Sequence, residues 1–291
     1  EGEYIDIINP ATGEKLSEFA AASDADVDKA VEAARACFEN DFINWSKEER
    51  VKLLEDIAKR VEDNLEYLAK VETMDNGKPI RETSNADIPL VADHFRYFAA
   101  ILRADEDEIS KLAGRFISIR KREPIGVVGQ MIPWNFPLLM AAWKLAPAIA
   151  GGNSIVISPS SNTSLSILEF IRLIEDILPK GLINLVTGKG SKTGEYLQHH
   201  KGFDKLAFTG STAIGRRIGI SAAENLIPAT LELGGKSANI IFDDCNIDKA
   251  LEGAQLGILF NQGQVCSAGS RLFIQESIYD EFVEKLVKAF E

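Results

Sequence analysis

The stretch Lys205-Leu206-Ala207-Phe208-Thr209-Gly210-Ser211-Thr212-Ala213-Ile214-Gly215 decides the fold. Lys205–Phe208 reads as a short strand, and a helix opens behind the glycine and hydroxyl residues that follow. A strand that turns into a helix here presents unpaired backbone N–H groups and the positive end of a helix dipole, which suit an anion such as a pyrophosphate. The plainer reading of Ser211 and Thr212 is a helix N-cap, and the two readings are compatible.

Further strand candidates lie on either side: Ser154–Ile157, Ile183–Thr187, Thr230–Leu233, Ala238–Phe242 and Leu272–Gln275. Helical stretches separate most of them. The alternation predicts an α/β fold, a Rossmann-like doubly wound parallel sheet covered by helices. Val186-Thr187-Gly188-Lys189-Gly190 is a second turn between strand and helix. Its Gly-x-Gly permits close approach to a phosphate at Gly190, although such turns also serve only to reverse the chain.

Upstream the pattern differs. The N-terminal stretch reads as helical beyond Ile5–Pro10. Ser23 caps a helix with Val27, Ala30, Val31, Ala34 and Phe38 on its apolar side, and Cys37 falls on the same stripe as a core residue. A capping box, Ser46-x-x-Glu49, opens a helix with Leu53, Leu54, Ile57, Val61, Leu65 and Leu68 on one side, and Asn76-Gly77 ends it. A third helix runs from about Ser84 to Leu102, Phe116–Arg120 alternates like a strand, and Ile125–Val128 reads as another.

The chain has 291 residues, 45% hydrophobic and 26% charged, which suits a soluble protein large enough for two domains. A net charge of −12 argues against nucleic acid and anionic membranes as partners. The apolar runs are too short for a membrane span, and the acidic start Glu1-Gly2-Glu3-Tyr4 is no signal or transit peptide. Three widely spaced cysteines point to reduced thiols in the cytoplasm. His94, His199 and His200 form no zinc-like pattern with them, no metal is assigned, and the pair His199-His200 reads as a solvated helix end.

Two segments carry reactive chemistry. In Leu231-Glu232-Leu233-Gly234-Gly235-Lys236 a carboxylate stands in a strand that ends in a double glycine. In Asn261-Gln262-Gly263-Gln264-Val265-Cys266 a cysteine stands in a polar turn after a helix-like run. Glu232 is a base able to activate that thiol or a water; its plain reading is an ion pair with Lys236. Asn135, in Pro133-Trp134-Asn135-Phe136-Pro137, supplies an amide donor for an oxyanion; its plain reading is a turn residue between prolines. Cys245 follows Asp243-Asp244 in a turn and reads as structural.

The order Pro-Trp-Asn-Phe-Pro, Phe-Thr-Gly-Ser-Thr, Leu-Glu-Leu-Gly-Gly-Lys and Gly-Gln-Val-Cys resembles the aldehyde dehydrogenase superfamily from about Ile8 to the last residue. Chains of that family continue well beyond this length. The resemblance implies a cofactor-binding domain over 1–233, with an oligomerisation hairpin near Gly114–Arg122 (114–126 at its widest), and the start of a second α/β catalytic domain over 234–291. It implies Cys266 as the nucleophile toward a small aldehyde, Glu232 as the base that activates water for deacylation, and Asn135 with the Cys266 N–H as oxyanion donors. NAD or NADP is the implied cofactor, held by Ile132, Pro133, Trp134, Gly190, Gly210, Ser211, Gly215 and Leu233. Phe136, Met140 and Trp143 line the substrate tunnel in that reading and pack a core in the plain one. A homodimer or homotetramer is expected.

One departure stands out. Ser158 and Ser161 occupy positions where the family usually has the Lys and Glu that hold the adenosine ribose. Loss of that carboxylate removes a repulsion against the 2′-phosphate of NADP, and loss of the lysine removes an attraction, so the preference between the two cofactors is left open. Two alternatives remain: a non-catalytic relative that keeps the fold as a binding or structural protein, and a CoA-acylating relative, against which Glu232 argues because thioester hydrolysis needs a base.

Overall fold

In the computed structural model, which describes residues 2–114 and 116–291, the chain opens with an antiparallel ribbon of β1 (Tyr4–Ile8) and β2 (Lys15–Ala20). The helical reading of this stretch is therefore corrected. Asn9 makes the turn: its side-chain oxygen accepts Ala11 N–H at 2.9 Å and its carbonyl accepts Gly13 N–H at 2.8 Å, with Gly13 at φ 75°. Ile7 and Phe19 are the buried side chains of the ribbon.

Four helical segments follow. α1 (Asp24–Asn40) buries Val27, Val31, Ala34 and Cys37. α2 (Lys47–Asp63) starts at the reciprocal pair Ser46 N–H to Glu49 Oε2 (2.7 Å) and Glu49 N–H to Ser46 Oγ (3.2 Å). It does not run on to Gly77. Asn64 leaves helical geometry at φ −121° and ψ 20°, and α3 (Leu65–Asn76) begins anew. Gly77 ends α3 at φ 86°, where a side chain would also meet the Pro10 ring 2.7 Å away. α4 (Ile80–Glu82) widens into a π turn at Thr83–Asp87 and continues as α5 (Ile88–Ala104), so this helical region starts before Ser84.

β3 (Glu108–Lys111) and β4 (Ile117–Arg120) pair antiparallel. The alternation in β4 has no buried face here, since Ile117 and Ile119 are 64% and 67% exposed. Arg115, within the expected hairpin, lies outside the described residues, as does Glu1.

From here strand and helix alternate: β5 (Val127–Met131), α6 (Pro137–Ala150), β6 (Ser154–Ser158), α7 (Leu165–Ile174), β7 (Ile183–Leu185), α8 (Glu195–His199), β8 (Lys205–Gly210), α9 (Thr212–Glu224) and β9 (Ala229–Leu233). The strands form one sheet in the order β7-β6-β5-β8-β9, with β5 parallel to both β6 and β8 and β6 parallel to β7. β5 and β6 are buried along their whole length, which is why they read as continuous apolar runs. After α8, His200 is not simply solvated. Its Nδ1 accepts Gly202 N–H at 2.9 Å and its Nε2 lies 3.2 Å from Asp28.

The chain divides into two units, Glu1–Thr209 with Ala213–Leu231, and Gly210–Thr212 with Glu232–Glu291. In the second unit β10 (Ala238–Ile241) and β11 (Arg271–Ile274) pair parallel, with α10 (Ile247–Leu259) between them in sequence and α11 (Tyr279–Phe290) after them. Ile241, Ala254 and Phe282 form its core, and Cys245 packs against it. Burying a phenylalanine such as Phe282 fully contributes about 2–3 kcal/mol. Among the described residues no helix is long and apolar enough to cross a membrane.

Candidate active site

The sheet reverses its order between β5 and β8: the chain builds outward through β6 and β7 on one side and through β9 on the other. In open α/β sheets the crevice beyond the strand ends at such a reversal accepts ligands. Met131, the last residue of β5, stands opposite Ser158 and Phe208. Ile132 follows, buried, and its N–H donates to the Ser158 carbonyl at 3.1 Å. Pro133 is half-buried, and Trp134 is 43% exposed. Past β8, Gly210 and exposed Ser211 lead into α9, a helix of 13 residues with Gly215 buried one turn in.

Such an arrangement fits a dinucleotide. A pyrophosphate suits the N-terminus of a helix, and α9 begins directly after Gly210 and Ser211. Ser158 is buried at the end of β6 and Ser161 is half-buried beyond it, so neither brings a charge to this edge. The second turn, Val186–Gly190, is more committed. A side chain at Gly188 would lie 2.1 Å from Thr193 Oγ1, the Thr187 carbonyl accepts Ala22 N–H at 2.8 Å, and Lys189 pairs with Glu3 at 3.1 Å. These contacts make the turn a seat for the N-terminal segment. Gly190 alone faces open space.

Asn135 is half-buried in the turn before α6. Phe136 and Met140 are buried, at 8% and 9% exposure, whereas Trp143 is exposed and stacks on His94 with ring centroids 5.2 Å apart. The residues that hold this turn escape a reading of the sequence. Lys78 is buried at 1% exposure, pairs with Asp87 at 2.6 Å, and lies 4.2 Å from the centre of the Phe136 ring. Burial pushes the Glu72 carboxyl up to about 7, with Lys78 opposing, and pushes Asp75 up to about 6; Asp87 is also raised by burial. Leu65, Leu68, Glu72 and Asp75 follow helical spacing on α3, so charged residues on an apolar stripe were the available signal.

In the second unit Glu232 is exposed near the end of β9, with Leu233 half-buried after it. Among the described residues no ion pair joins Glu232 to Lys236, whose ammonium instead reaches the Gly235 carbonyl at 3.4 Å. The loop beyond β9 runs beside the cysteine turn: a side-chain carbon at Gly235 would sit 3.4 Å from the Cys266 carbonyl oxygen, and Arg271 Nε donates to the Lys236 carbonyl at 2.8 Å. The cysteine turn has an unusual backbone. Asn261, Gln262 and Gly263 have φ of 47°, 56° and 72°, three successive left-handed residues, of which only the glycine adopts that region freely. Strain of this kind collects at functional turns. Cys266 is exposed, Cys245 half-buried and Cys37 buried, with the Cys37 thiol pushed up to about 11 by burial. A thiol nucleophile must be reachable and ionisable, and Cys37 is neither.

The family model for the aldehyde dehydrogenase family matches residues 1–291. Aldehyde dehydrogenase B of Escherichia coli (strain K12) is 49% identical over all of this chain, which spans 58% of that protein. Among solved structures, an NAD+ complex of an aldehyde dehydrogenase from Bacillus cereus is 39% identical with a TM-score of 0.95; the match covers 99% of this chain and 59% of that one. PnpE from Pseudomonas sp. WBC-3 is 43% identical with a TM-score of 0.94, over the same shares of the two chains.

Proposed function

This chain belongs to the aldehyde dehydrogenase family, and from that premise we propose that it serves the oxidation of an aldehyde to a carboxylic acid through a covalent adduct on Cys266. The observation that carries the reading is the cysteine turn: exposed Cys266 follows three left-handed residues, and its backbone carbonyl lies alongside the loop that leaves Glu232. The Cys266 thiolate attacks the aldehyde carbon. The oxyanion that forms is assigned two donors, the Asn135 side-chain amide and the Cys266 N–H. NAD or NADP, when bound, supplies the two-electron acceptor, and the switch point with the start of α9 is its proposed seat. Its assigned contacts are Ile132, Pro133, Trp134, Gly190, Gly210, Ser211, Gly215 and Leu233, with Ser158 and Ser161 toward the adenosine end. Cys266 then holds the acyl group as a thioester, and Glu232 takes a proton from the water that releases the acid.

Phe136 and Met140 are the proposed apolar lining for the substrate. We also propose residues 1–233 as the cofactor-binding segment and 234–291 as part of a catalytic one, with the β3–β4 hairpin available for homo-oligomerisation and the cytoplasm as the compartment that keeps the thiols reduced.

The test is a cysteine series in the full-length chain. Cys266→Ser is expected to lower aldehyde oxidation by at least about 10³-fold, because a hydroxyl is a far poorer nucleophile near pH 7. Cys37→Ala and Cys245→Ala are expected to leave turnover near wild type. Substantial activity in Cys266→Ser would remove the covalent mechanism.

A further inference from the structure

One stretch of chain holds the Asn135 turn at three backbone groups. Asn76 Nδ2 donates to the Trp134 carbonyl at 2.6 Å. Lys78 Nζ donates to the Asn135 carbonyl at 2.8 Å. Glu72 Oε2 accepts Leu138 N–H at 3.1 Å. Both Lys78 and its partner Asp87 are only 1% exposed. A buried ion pair is poor value as a source of stability, since an apolar pair of similar volume does as well or better. What it supplies is geometry. The ammonium reaches Asp87 Oδ2, the Asn135 carbonyl and the face of the Phe136 ring at once, so its position is fixed by three partners. A carbonyl held in this way fixes its peptide plane, and through it the direction in which the Asn135 side chain leaves the backbone.

We propose that Lys78, locked by Asp87, is a positioning residue for the Asn135 amide, setting the angle at which that amide meets the oxyanion. This rests on the reading of Asn135 as an oxyanion donor. Lys78 touches no reacting atom and acts on Asn135 through its carbonyl, with Asp87 and the Phe136 ring as its other neighbours. A misplacement of about 1 Å in such a donor is enough to cost up to about 10²-fold in rate. The clamp therefore belongs to acylation. Among the described residues, Lys78 itself touches none of those assigned to the dinucleotide, and it takes no part in the water attack that follows.

The experiment measures the pre-steady-state burst of reduced cofactor in the full-length enzyme, together with the Kd for NAD. Three variants are compared with wild type: Asn135→Ala, the pair Lys78→Met with Asp87→Asn, and all three changes together. The paired change keeps the side-chain volumes and leaves no orphan carboxylate at position 87, so the fold is expected to stand. Asn135→Ala is expected to slow the burst about 10²–10³-fold. The paired change is expected to slow it about tenfold with an unchanged Kd, and to add nothing when Asn135 is already alanine. A wild-type burst in the paired variant, or losses that multiply in the triple variant, would overturn the proposal. A wild-type burst in Asn135→Ala would instead overturn the reading of Asn135, and the proposal with it. If the paired variant does not fold, Asp87→Asn alone takes its place, which removes the charge that locks Lys78. About a threefold slowing is expected, again absent without Asn135; an unchanged burst overturns the proposal.

Discussion

Glu72 and Asp87 in the first unit are buried beside Lys78, and Asp75 is buried against the N–H groups of Leu165 and Ser166, whereas Glu232 in the second unit stands exposed before the Gly234-Gly235 pair. The contrast concerns where electrostatic cost is placed. The carboxyls that burial shifts most touch backbone N–H groups or Lys78, and none has a reacting role in the proposed chemistry. Strongly shifted titration is often taken as the mark of a reacting group. In this molecule the shifted carboxyls sit in the framework: Glu72 and, through Lys78, Asp87 hold the Asn135 turn, and Asp75 holds the start of α7.

The largest test of that contrast is Glu72→Gln. Folding holds the Glu72 carboxyl at about 7, above the ordinary 4.5, because burial penalises its charged form. The folded state then binds more protons than the unfolded state between those values, so stability falls as pH rises through that window and the full cost stands above it. Removing the charge should therefore make the variant gain on wild type by about 3 kcal/mol between pH 4.5 and 7, with no further gain at higher pH. Denaturant unfolding across this range measures it. A difference that does not change with pH would break the comparison.

Glu232→Gln sharpens the other side. Steady-state turnover should fall about 10²-fold while the first-turnover burst of reduced cofactor survives, because only the water attack on the thioester has lost its base. Equal loss of burst and steady state would move Glu232 to the activation of Cys266. The smallest effect is expected at the adenosine end, where Ser158 and Ser161 carry no charge. Ser161→Glu should weaken NADP binding about tenfold through repulsion of the 2′-phosphate and leave NAD nearly unchanged. A wild-type preference above about a hundredfold for either cofactor would show that other residues make the choice.

The middle of the central sheet was legible because β5 and β6 are buried along their whole length and β8 over its centre. Ser154–Ile157 and Lys205–Phe208 lie inside β6 and β8, which run on only to Ser158 and Gly210. The β1–β2 ribbon was not legible, since most of its residues are exposed and its strand order is set by the Asn9 turn more than by hydrophobic alternation. The break at Asn64 interrupts a stripe that continues in phase from Val61 to Leu68, so periodicity alone runs straight through it. Around the site, Cys266, Glu232 and Asn135 stand out because their residue types fall in motifs that resemble those of the family. The left-handed run Asn261–Gly263 and the buried Lys78–Asp87 pair do not, because one is a matter of backbone angles and the other of tertiary burial that charged residues rarely undergo.

The N-terminal ribbon has a consequence in time. Its anchors are Ala22 N–H on the Thr187 carbonyl, Thr193 Oγ1 on the Ala22 carbonyl, and Glu3 on Lys189 and Lys192. Glu3 and Lys189 are 186 residues apart in sequence. A ribosome adding about 5–20 residues per second takes roughly 10–40 s to cover that distance. The β1–β2 ribbon is made before the β7–α8 turn and must therefore wait, undocked, until that turn has emerged.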